Sequence, residues 1–162
     1  MLELELAGEQ RQDAFGRQLA GFCRPPCTIY LEGDLGTGKT TLARGFLRGL
    51  GHRGKVKSPT YTLLEPYELA GCNCYHFDLY RLGDPGELEF LGLEDLLDAQ
   101  AILLVEWPES GAGVLPGADL TLHLSHAGGA RRLCLEAGSG QGIKIVQALT
   151  ATLGGEGDEG PP

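Results

Sequence analysis

Residues 33–40 read Gly-Asp-Leu-Gly-Thr-Gly-Lys-Thr. Gly33, Gly38, Lys39 and Thr40 fill every fixed position of the pattern G-x-x-x-x-G-K-[ST]. The residue types explain the chemistry that such a segment performs. Gly33, Gly36 and Gly38 let backbone N–H groups turn inward around phosphate oxygens. A helix that starts within the loop adds partial positive charge at its N-terminus. Lys39 supplies a point charge for the β and γ phosphates, and the Thr40 hydroxyl is a ligand for Mg²⁺. Asp34, Leu35, Thr37 and Thr41 complete the candidate nucleotide contacts along this stretch. The competing account is a tight glycine-rich turn between a strand and a helix, with no ligand.

A loop of this kind requires acids near the metal and a group that orients an attacking water. Ala101-Ile-Leu-Leu-Val105 is an apolar run that ends in Glu106. A carboxylate just past a buried strand stands at the sheet edge where α/β proteins bind ligands. Glutamate there suits water activation or a water-mediated metal contact, and its plain alternative is an exposed charge at a strand end. Asp78, after Tyr75-His76-Phe77, offers a second acid, or else a turn or capping carboxylate. The candidate catalytic set is therefore Glu106, Asp78 and Lys39, with Thr40, Glu106 and Asp78 as candidate metal ligands. The sole asparagine, Asn73, precedes Cys74, so an N-K-x-D guanine reader is absent and ATP is favoured over GTP. The only arginine pair, Arg131-Arg132, does not form the Arg-rich lid of a small-molecule kinase.

The elements that position these residues are legible in outline. Residues 9–20 suit a short amphipathic helix, with Phe15 and Leu19 among its apolar positions. Cys27–Leu31 reads as a buried strand leading into the loop. Leu42, Phe46, Leu47 and Leu50 share one helical face after it, with Gly51 as the stop. Tyr61–Tyr67 and Cys74–Leu79 read as strands around Ala70-Gly71. Asp84-Pro85 opens a helix that Gly92 interrupts, and Ala101–Val105 is a buried strand. Leu120–Leu124 and Arg131–Leu135 flank Gly128-Gly129 as a hairpin, and Ile143–Leu153 is a last helix. Residues 1–153 are expected to form one domain and 154–162, with no apolar residue, a disordered tail.

The chain has 162 residues, of which 26 are glycine, and a net charge of −9. Glycine at more than twice its ordinary share, without a triplet period, marks turns and close approaches rather than collagen. The acidic balance disfavours autonomous binding of nucleic acid, which needs a basic footprint. No apolar run approaches the ~20 residues that span a bilayer, and the N-terminus lacks a leader pattern; a cytoplasmic protein with no membrane partner is expected. The five cysteines lack the usual zinc spacing and read as small buried thiols.

Several segments together resemble the TsaE (YjeE) family: Gly33–Thr41; Ser58-Pro59-Thr60-Tyr61; His76-Phe-Asp78-Leu-Tyr80-Arg81-Leu82; Leu91-Gly-Leu93; and Val105-Glu106-Trp107-Pro108, in the family's order and spacing. The resemblance spans roughly residues 10–137. It implies a P-loop NTPase-like α/β sandwich of three layers, with a central mixed sheet and a C-terminal antiparallel hairpin. It implies an ATPase that binds ATP and Mg²⁺, turns over slowly, and supports the TsaD–TsaB synthase that threonylcarbamoylates adenosine 37 of tRNAs reading codons that begin with A. It carries Thr40, Asp78 and Glu106 over as the magnesium and hydrolysis set, Ser58-Pro59-Thr60 as a switch-like loop beside the γ-phosphate, and Trp107 as a neighbour of the site. Contact with tRNA would then be indirect, through the partners. A small-molecule kinase and a nucleotide-dependent adaptor are the competing functions.

Overall fold

The structure is a computed structural model that describes the backbone of residues 1–158 and the side chains of residues 1–153. Seven strands form one mixed sheet in the order β1-β7-β6-β2-β5-β4-β3. They are β1 (Leu2–Leu6), β2 (Cys27–Glu32), β3 (Leu64–Glu68), β4 (Asn73–Asp78), β5 (Ala101–Glu106), β6 (Leu120–Ala127) and β7 (Ala130–Ala137). The central strands β6, β2, β5 and β4 run parallel. Antiparallel partners flank them: β3 on β4, and the β6–β7 hairpin with β1 beyond it. This is the mixed α/β architecture with a hairpin near the C-terminus that the resemblance implied.

The sheet's two faces are covered unequally. Helices α1 (Gly8–Ala20), α2 (Lys39–Gly49) and α5 (Gly140–Asp158) share one core. Phe15 and Leu19 of α1 and Leu42, Phe46 and Leu47 of α2 pack there with Ile29, Leu31, Ile102, Leu104, Leu120 and Leu122 of the strands. The second core holds Phe77, Leu79, Leu103 and Val105 under two one-turn helices, α3 (Glu87–Phe90) and α4 (Leu93–Leu96). Gly92 separates those two helices at φ 77°. All six residues of β5 are buried, as required of a central strand covered on both faces.

The structure departs from the sequence reading most at the two ends of the chain and before β3. Strand β1 has no counterpart in that reading. Its Leu-Glu-Leu-Glu-Leu alternation places Leu2 and Leu4 against the first core, opposite Leu135 and Leu133. The strand expected from Tyr61 begins at Leu64, because a turn closed by Leu63 N–H on the Pro59 carbonyl (2.8 Å) precedes it. The last helix begins at Gly140 rather than Ile143: Ser139 Oγ accepts from Gly142 N–H at 3.1 Å and donates to Asp119 Oδ1 at 2.7 Å, an N-terminal cap built across the chain. Helix α5 is described through Asp158, beyond the boundary expected at Leu153, and the rest of the expected tail, 159–162, lies outside the described residues.

All five cysteines are free, and four of them are buried; Cys134 is half-exposed. The neighbouring Cys23 thiol and burial push the Cys27 thiol up, and burial does the same to Cys74. These are inert packing thiols. Among the described residues no helix is long and apolar enough to cross a membrane.

Candidate functional site

The loop between β2 and α2 lies at the C-terminal edge of the parallel strands. Gly33 has φ 150°, and a Cβ on it would lie 2.5 Å from the Leu124 carbonyl oxygen of β6. Gly38 has φ 97°, and a Cβ on it would lie 2.2 Å from Gln12 Oε1 of α1. Both positions combine a backbone that suits glycine with no room for a side chain. Gln12 is buried, and its amide donates to the Thr37 carbonyl at 3.4 Å. The Thr37 hydroxyl turns inward onto the Asp34 carbonyl at 2.8 Å. Arg131 of β7 donates to the Gly36 carbonyl at 3.2 Å. The loop is thus braced by α1, β6 and β7, three elements distant in sequence. Asp34 and Leu35 are exposed at its tip, so their side chains brace nothing in it.

A cleft of about 520 Å³ opens beside this loop, within the ordinary range for a small-molecule site. Leu35, Gly36, Gly38, Lys39, Thr40, Thr41, Thr60, Asp78 and Glu106 all line it. The sequence-predicted residues from the loop, from the segment at Thr60, and from the ends of β4 and β5 therefore converge on one cavity. Gly33, Asp34 and Thr37 shape the loop from outside it. Asp78 and Glu106 are register partners at the ends of adjacent strands. Glu106 is 2% exposed, so it is a buried carboxylate rather than a solvated charge at a strand end. Its Oε1 accepts from the Thr40 hydroxyl at 3.4 Å. Asp78 Oδ1 accepts from Tyr80 N–H at 3.1 Å, which fixes the carboxylate at the strand end.

Electrostatics follow from this crowding. Burial raises the Asp78 carboxyl above its ordinary value, and the nearby Glu106 charge adds to the rise. Burial lowers the Lys39 ammonium, while Glu106 and Asp78 oppose that shift. Lys39 Nζ donates to the Gly33 carbonyl and lies over the Trp107 ring. Trp107 adopts a left-handed backbone (φ 56°, ψ 53°) directly after β5 and packs against Tyr80, ring centroids 4.9 Å apart. A bulky residue in that region is a strained conformation typical of functional sites. Arg81 also lines the cleft, with its guanidinium 4.8 Å from the Tyr61 ring.

Sequence reasoning missed Glu9 of the first turn of α1, which lines the cleft. It also missed the supporting roles of Gln12 and Arg131. No local signal marks these residues, because only the packing of α1 and β7 brings them to the loop.

The loop cradle at the edge of a partly parallel sheet, between a strand and a helix, defines a P-loop α/β protein. The model of the family "Threonylcarbamoyl adenosine biosynthesis protein TsaE" matches residues 6–134, and the chain belongs to the TsaE family. It is 52% identical over 122 residues to the tRNA threonylcarbamoyladenosine biosynthesis protein TsaE of Haemophilus influenzae, covering 75% of this chain and 77% of that protein. The Bacillus subtilis protein of the same name is 37% identical over 127 residues, 78% of this chain and 79% of that one. The crystal structure of YdiB from Bacillus subtilis superposes with a TM-score of 0.77 at 28% identity, covering 93% of this chain and 95% of that one.

Proposed function

We propose that this protein binds ATP with Mg²⁺, hydrolyses it slowly, and in doing so supports the threonylcarbamoylation of adenosine 37 of tRNA by a TsaB–TsaD synthase. The observation that carries the nucleotide reading is the convergence of Lys39, Thr40, Asp78 and Glu106 on one cleft beside the braced loop. Membership of the TsaE family supports the pathway.

The donors present fit magnesium. Thr40, Asp78 and Glu106 offer hard oxygen ligands, and Mg²⁺ is ordinarily held by one or two carboxylates together with substrate phosphates rather than by a protein cage. When bound, the ion neutralises charge on the transferring phosphoryl group. The chain's own residues do the rest. Loop N–H groups and Lys39 hold the phosphates. Glu106 accepts the proton of the water that attacks the γ-phosphorus, as the bridging P–O bond to the ADP leaving group breaks. Trp107 and Tyr80 form an aromatic wall along the cleft. Among the described residues, Lys39 and Arg81 are the cations lining the cleft, and Arg81 is directed onto Tyr61. A site with no arginine aimed at the γ-phosphate is slow alone and is completed by a group supplied in trans.

The test is reconstitution with TsaB and TsaD, measuring ATP turnover and modified tRNA together. Turnover well below about 10 s⁻¹ for the chain alone, stimulated by the partners and accompanied by modified tRNA, is the expected result. Fast turnover alone with no stimulation, or phosphoryl transfer to an added metabolite, would sink the reading.

A further inference from the structure

His76 lies two residues before Asp78 on β4, pairs in register with Leu104, and is fully buried. Its Nε2 is 2.7 Å from Glu106 Oε2, and its Nδ1 is buried with no hydrogen-bond partner. A carboxylate beside a ring nitrogen calls for a donor there, so Nε2 carries the proton. A proton on Nδ1 would be a buried donor without an acceptor, which is costly. The ring therefore sits as the Nε2–H tautomer. Glu106 is then bound at both oxygens by different elements: Oε2 by His76 from below, and Oε1 by the Thr40 hydroxyl at 3.4 Å on the cleft side. Without His76, only the longer Thr40 contact would hold the Glu106 carboxylate.

We infer that His76 is a positioning residue, which pins Oε2 of Glu106 so that only Oε1 is presented to Thr40 and to the substrate. The inference rests on the reading of Glu106 as the hydrolytic carboxylate. His76 is not among the residues that line the cleft; it acts through Glu106, as outer-shell partners of metal-binding carboxylates do.

The experiment compares His76→Leu, His76→Gln, Glu106→Gln and the His76→Leu/Glu106→Gln double variant. For His76→Leu, kcat is expected to fall about 10–100-fold, as for loss of an outer-shell partner. Its Kd for ATP measured in EDTA should stay within about twofold of wild type, since ground-state phosphate contacts are untouched. His76→Gln should recover most of the loss, because its amide donates from nearly the same point as Nε2. The double variant should be no slower than Glu106→Gln, as for two groups acting as one unit. Independently of activity, two-bond ¹H–¹⁵N spectra of the wild-type chain should show His76 protonated at Nε2, with that signal displaced in Glu106→Gln. These spectra and His76→Gln keep the test decisive if His76→Leu does not fold. A folded His76→Leu with wild-type kcat, a His76→Gln no better than His76→Leu, or a His76 bare at Nε2 overturns the inference. Wild-type turnover in Glu106→Gln instead overturns the reading of Glu106 on which it rests.

Discussion

The Lys39 ammonium lies 3.6 Å from the centroid of the Trp107 ring, so the cation of the phosphate loop rests on the aromatic residue that follows the buried acid of β5. The same ammonium donates to the Gly33 carbonyl at the start of the loop. The ammonium has three donors, so it can keep the Gly33 carbonyl while turning from the ring toward a phosphate. The aromatic residue is also the only tryptophan of the chain, and its emission therefore reports on the lysine.

Adding ATP and Mg²⁺ is expected to change Trp107 fluorescence as Lys39 moves from the ring to the phosphates. Lys39→Ala should shift the emission of the free protein and abolish the response. It should weaken ATP binding by about 2–4 kcal/mol, the cost of truncating one side of a desolvated charge pair. Titration calorimetry measures the affinity; an unchanged Kd removes Lys39 from the phosphate site.

Glu106→Gln should bind nucleotide but lose most hydrolysis, by about 10²–10⁴-fold, the usual worth of a positioned general base. The amide has nearly the same shape as the carboxylate and cannot take a proton from water. Single-turnover kinetics beside an equilibrium binding measurement separate the two effects.

Asp78→Asn should stabilise the ligand-free protein while lowering its turnover. Burial and the Glu106 charge raise the Asp78 carboxyl above its unfolded value, so the folded state holds this proton more tightly than the unfolded state does. Stability from this group is present at low pH and is lost as pH rises through the raised value. The gain from Asn should therefore be larger at pH 7–8 than at pH 4. Each kcal/mol corresponds to about 2–4 °C of Tm for a chain of this size. Thermal unfolding at the two pH values checks the sign; a variant less stable than wild type at pH 8 contradicts it.

Gly38→Ala should lower stability by more than about 1 kcal/mol, because alanine is strained at φ 97°. Its Cβ would also press on the buried Gln12 amide that braces Thr37. Gly36→Ala, strained at φ 77° but with open space around it, should cost less. Urea unfolding of the two variants side by side tests whether the Gln12 contact adds to the backbone strain.

The phosphate loop, the acid ending an apolar strand, and the glycine stops are readable from the chain itself, because each depends on residues within about ten positions of one another. Local spacing decides which N–H groups can face one anion and which side chain ends a strand. The hairpin around Gly128-Gly129 and the break at Gly92 are readable for the same reason. Strand β1 carries its own period-two signal, but nothing local shows that Leu2–Leu6 pairs with Arg131–Leu135 near the opposite end of the chain. The tertiary structure alone decided that Asp78 and Glu106 are register partners, that Gln12 and Arg131 brace the loop, and that His76 faces Glu106 rather than merely filling the core. Those relations depend on strand order and helix packing, which place residues 25 to 95 positions apart within hydrogen-bonding distance. The physical reason is that register and layer packing are set by the burial of a whole face at once, and no short window of sequence contains a whole face.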